Sequence, residues 1–185
     1  MRLVYYEENT GVTPRLSFFA LITDDDGPED IEEVRLYHDF EGLLWVFKKN
    51  NWVTHIEENN VWIGSHTLSM AGNEEFPSGQ WRAVVADKSG ERSERVFGFD
   101  VPKESKYPFP KFTIENGNWT LESDYPEHFL LCYDQSGNFL RTLILQGKNG
   151  TVQTLGLPPE TQNVAYWGED SAGMTAALTK STAVK

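Results

Sequence analysis

The chain has 185 residues, 39% of them hydrophobic and 13% aromatic, which suits one medium domain or two small ones. Its formal net charge of −12 argues against nucleic acid and against anionic lipid as partners, because both need clustered Lys and Arg. No run approaches the ~18 apolar residues of a membrane-spanning segment, and the single cysteine, Cys132, cannot form an internal disulfide.

In chain order, "MRLVYYEENTG" (1–11) does not read as a signal peptide, since its apolar run is short and acids follow it. "RLSFFALIT" (15–23) is an apolar, β-branched run. "VRLYHD" (34–39) alternates, and "LLWVFK" (43–48) is apolar throughout, a pattern compatible with burial on both faces. "QWRAVVAD" and "RVFGFDV" follow. No window of a dozen residues carries helical spacing. Short strands separated by turn signals predict an all-β chain.

The turn signals repeat. Asp-x-x-Gly occurs at Asp39–Gly42, Asp87–Gly90, Asp134–Gly137 and Asp170–Gly173, each time between two strand-like runs. An Asp side chain bonds backbone two residues on, and Gly takes positive φ without steric cost. Each segment therefore predicts a β-hairpin with a short loop. The hairpins fall into two pairs, separated by "VPKESKYPFP" (101–110), whose Pro102, Pro108 and Pro110 cannot donate to a ladder. The expectation is two tandem antiparallel β-sandwich domains, 1–102 and 108–185, with 103–107 as linker.

Several stretches resemble known modules. "SGQWRAVVADKSG" resembles the start of strand F in bacterial immunoglobulin-like repeats, with Trp81 at the aromatic position, and "LITDDDGPEDIEEVRLY" resembles their B–C segment. "KFTIENGNWTLES" and "GLPPETQNVAYWGEDSAG" resemble the A–B and E–F–G passages of a fibronectin type III module, with Asn163 near the usual corner Tyr. The resemblance implies an immunoglobulin-like sandwich followed by a fibronectin type III-like one, as in bacterial extracytoplasmic proteins. It specifies no activity, because sandwiches host many.

Candidate functional residues are few. The acidic loop offers Asp24, Asp26, Asp30 and Glu33 as ligands of a loose Ca²⁺ site. An EF-hand register fails there, since Ile22 would take the first ligand position. The reading preferred is an exposed loop whose Asp residues cap turns, with no strong metal site. None of His38, His55, His66 and His128 has the spacing of a metal helix or zinc ribbon, so all four read as packed or solvated. Cys132 reads as a small buried hydrophobe. The segment 47–68 interleaves Trp52 and Trp62 with Asn51, Asn59 and Asn60. It suits an extra hairpin covering the core edge, a protein contact or a sugar-binding face, where rings stack and amides bond hydroxyls.

No nucleophile elbow, phosphate loop or Cys–His signature occurs. The expectation is a non-catalytic structural or protein-binding module with no cofactor, placed by the resemblance in the periplasm or at the cell surface. A carbohydrate-binding module and accessory domains of a larger enzyme are the alternatives.

Overall fold

The computed structural model describes residues 1–23, 27–57 and 60–184. Among them there is no α-helix; strands dominate and three short 3₁₀ turns interrupt them. The chain divides into two compact units, Met1–Arg2 with Arg15–Val101, and Leu3–Pro14 with Pro102–Lys185.

The first unit holds two sheets. One is four-stranded, in the order β4 (Leu43–Lys48), β3 (Ile31–His38), β7 (Gly79–Asp87), β8 (Arg92–Phe99). The other places β6 (Asn60–Leu68) between β2 (Gly11–Ile22) and β5 (Val53–Glu57). Alternation sets the inner faces: Val34 and Leu36 of β3, Phe47 of β4, Leu16 and Phe18 of β2 and Ile63 of β6 are all buried. The Phe18 ring of one sheet stacks on Phe47 (5.9 Å) and Phe97 (6.4 Å) of the other, so the core lies between the sheets. Trp81 is wholly buried between His38 (4.9 Å, edge-on) and Trp45 (5.8 Å, stacked).

The second unit repeats this sheet order. β12 (Phe139–Ile144), β11 (Glu127–Tyr133), β14 (Asn163–Asp170) and β15 (Thr175–Leu178) lie side by side as β4, β3, β7 and β8 do. Its other sheet is β13 (Asn149–Thr151), β10 (Asn118–Glu122), β9 (Lys111–Glu115). Asn116 (φ 51°) and Gly117 (φ 74°) make the β9–β10 turn, where both central residues need positive φ. Phe112, Trp119, Leu121, Leu130, Cys132, Val164 and Tyr166 form the core between the sheets. Cys132 is buried there and its thiol is pushed up to about 11 by desolvation, so it is a core hydrophobe and not a nucleophile.

All four Asp-x-x-Gly segments close hairpins: β3–β4, β7–β8, β11–β12 and β14–β15. At Asp134 the carboxylate accepts from the backbone N–H of Ser136 (2.9 Å) and Asn138 (2.8 Å) and from the Asn138 amide (2.9 Å). At Asp87 it accepts from the Glu91 N–H and the Ser89 hydroxyl, both at 2.8 Å. These bonds hold both carboxyls below the ordinary Asp range.

Two features differ from expectation. "LLWVFK" is not buried on both faces: Leu44 and Val46 face outward and are 49% and 37% exposed. Residues 3–14 group with the second unit, because β1 (Arg2–Glu8) pairs in parallel with β15, Leu3 to Thr175 through Tyr6 to Leu178. The linker 103–107 carries no strand, but Ser105 shares a 2.9 Å hydrogen bond with Tyr125, and the Tyr107 and Tyr125 rings lie 5.1 Å apart.

Candidate functional site

The outer face of β4–β3–β7–β8 is built in rows by the strand register. Leu44, Tyr37, Arg82 and Val96 form one row; Val46, Arg35, Val84 and Glu94 the next; Lys48, Glu33, Ala86 and Arg92 the third. A depression of about 260 Å³ opens among Glu33, Arg35, Tyr37, Arg82, Arg92 and Glu94. Arg82 sits 4.1 Å over the Tyr37 ring and donates from Nε and Nη2 to the two Asp39 oxygens at 2.8 and 2.7 Å. That fork holds the Asp39 carboxyl below its usual range and raises Arg82 further. Arg35 pairs with Glu33 and donates to the Tyr37 hydroxyl (3.3 Å).

This ladder of ion pairs is flanked by apolar groups. Leu44 and Val46 line the edge strand and Val96 (48% exposed) lies across the sheet. Phe40, in the β3–β4 turn, is 92% exposed. A contiguous face of Arg, Tyr and uncovered aliphatic side chains is suited to contact with another macromolecule. Sequence reading missed it because the alternation of β4 is hidden when both its inner and outer positions are apolar. The signal was the neighbour: β3 alternates strictly, and pairing fixes which β4 residues share its outer face.

The residues singled out from the sequence are placed as follows. Asn51 is committed to the turn after β4: its Oδ1 accepts from the Lys48 N–H (2.6 Å) and its Nδ2 donates to the Val46 carbonyl (3.2 Å). Trp52 is half-buried beside it, and Trp62 is half-buried on β6, in register with Leu21 and His55. Asn60 is exposed at the start of β6. Asn59, Asp24 and Asp26 lie outside the described residues. Asp30 ends a 3₁₀ turn, where its carbonyl accepts from the Lys88 N–H (2.9 Å). The Glu33 carboxylate is engaged by Arg35 and Lys48. Among the described residues no group of three or more His, Cys, Asp and Glu could hold a metal ion.

His55 and His66 meet across the β5–β6 hairpin. The register pairs His55 with Trp62 and Val53 with Gly64, which puts His55 and His66 on one face of the sheet. Across that face their Nε2 atoms are 2.9 Å apart, their ring centres 5.0 Å, and Phe19 packs 4.9 and 4.8 Å from the two rings. One Nε2 carries the proton and donates to the other. Burial lowers His55 to about 4; burial, then His55 and Arg2, lower His66 to about 3. Both rings are neutral at pH 7.

This pair predicts acid sensitivity. Both folded values lie below the unfolded ~6.5, so the unfolded chain takes up protons that the folded chain refuses. The stability is complete above ~6.5 and is lost as pH falls toward the folded values. Between pH 6.5 and 5.5 each ring costs about 1 kcal/mol, roughly 2 for the pair. Urea melts at the two pH values should show this loss, and the double variant His55→Gln/His66→Gln should show much less of it. An equal loss in that variant would assign it to other groups.

In the second unit the Tyr166 hydroxyl lies between Ser123 Oγ (2.8 Å) and His128 Nδ1 (2.7 Å). Burial pushes Tyr166 up to about 12, so it stays a phenol and ties β14 to β11 and to the segment after β10.

The chain matches no protein-family model and no curated protein.

Proposed function

We propose that the chain is a tandem of an immunoglobulin-like and a fibronectin type III-like sandwich, working without catalysis as a protein-binding module of an extracytoplasmic assembly. The repeated strand order of the two four-stranded sheets supports the tandem reading, and the resemblance supports the setting at the periplasm or cell surface. The contact is made by the outer face of β4–β3–β7–β8. The observation that carries it is the exposure of Phe40, Leu44, Val46 and Val96 around an ion-paired Arg–Tyr ladder. Such a face suits a partner with an apolar patch rimmed by polar groups. The sugar-binding alternative loses one amide, because Asn51 is spent on its own turn.

Photo-crosslinkers placed at Leu44, Val96 and Ile56 in the native cell test this. Leu44 and Val96 should trap the same partner, and Ile56 should not. With that partner in hand, Leu44→Glu should weaken binding about thirtyfold, the loss of a hot-spot contact. Capture only from Ile56, or glycan binding lost on Trp62→Ala, would move the function to the β5–β6 hairpin.

A further inference from the structure

We propose that His55 and His66 form a binding site for a divalent transition-metal ion, with Cu(II) the tightest. It is distinct from the protein-binding face and does not rest on it.

Two imidazoles on adjacent strands present the same atom, Nε2, to each other. Their present arrangement is nearly head-on and holds one shared proton. A metal ion takes that proton's place. With bonds of ~2.0–2.1 Å, cis imidazoles spanning about 90–110° at the metal have ring centres about 4.5–5.3 Å apart. The observed 5.0 Å falls inside that window, so tilting the two rings admits the ion without moving the strands. Nitrogen pairs of this kind suit Cu(II), Ni(II) and Zn(II), and affinity peaks at copper.

Metal ligation needs neutral imidazole with a bare nitrogen, and the Nε2-to-Nε2 hydrogen bond requires that one of the two is already bare. The one Nε2–H moves to Nδ1 of the same ring, so each ligand ends with its proton on Nδ1 and no net proton is released. Water completes the coordination, which gives a micromolar site and not a structural one.

The sequence hid the site because the residues are eleven apart, outside any helix or ribbon spacing. The register of β5 with β6 brings them together.

The experiment is Cu(II) titration of the full chain, buffered by glycine and followed by electron paramagnetic resonance. One ion should bind, with superhyperfine coupling to two imidazole nitrogens. His55→Gln and His66→Gln should each weaken binding by about tenfold or more, the scale set by loss even of an outer-shell partner, while His128→Gln should leave it unchanged. A spectrum with no imidazole pair, or unchanged binding in both single variants, overturns the site. The spectrum of the unaltered chain decides the question even where a variant fails to fold.

Discussion

Gly64→Ala is expected to unfold the first unit, with a loss of about 3 kcal/mol or more. A Cβ built at Gly64 runs into the Phe18 carbonyl oxygen and lies 2.7 Å from the Phe19 Cα. These are backbone atoms of a paired strand and cannot swing aside as a side chain does. β6 comes this close to β2 next to an irregularity in their register, between Leu16 and Phe18. The control is Gly98→Ala on β8, where an added Cβ meets nothing within 4 Å. That change should be neutral, or stabilising by up to ~1 kcal/mol, because alanine loses less conformational freedom on folding. Denaturant melts of both variants make the comparison. A Gly64→Ala chain as stable as Gly98→Ala would show that the two strands are not in this close contact.

Trp81→Ala is expected to cost about 3–5 kcal/mol. Trp81 is 0% exposed and is held between Trp45, His38 and the inner face of β3. For a unit of this size the loss lowers the melting temperature by more than about 10 °C. Trp52→Ala and Trp62→Ala, both half-buried, should cost less. A Trp81→Ala melt within a few degrees of the parent would place the core elsewhere.

The hairpins were legible because their signal is local. An Asp whose carboxylate collects backbone N–H groups, followed by a residue that tolerates positive φ, needs no tertiary context, and Gly42, Gly90 and Gly137 all take positive φ. The fourth turn solves the problem differently. Met174 takes the positive φ (51°), while Gly173 lets the Asp170 carboxylate reach its N–H at 3.0 Å. What stayed hidden depends on pairing between distant strands. The exposure of Leu44 follows from its neighbour on β3. His55 finds His66 only once the hairpin register is known. Asn51, polar and beside a Trp, carried the composition of a binding residue, yet turn closure uses the same amide chemistry. No local pattern announces that Leu3 will lie beside Thr175.

That last pairing orders the folding of the chain in time. The first unit's strands from Arg15 to Val101 are contiguous, so they can collapse while synthesis continues. β1 is made before the strands it joins and must wait for β15. The loop it closes runs from Leu3 to Thr175, and parallel pairing over such a separation is slow to form. Until then Val4, which ends wholly buried against Leu131, Trp167 and Leu178, stands on an unpaired edge. The second unit is thus finished by residues that were synthesised long before its other strands.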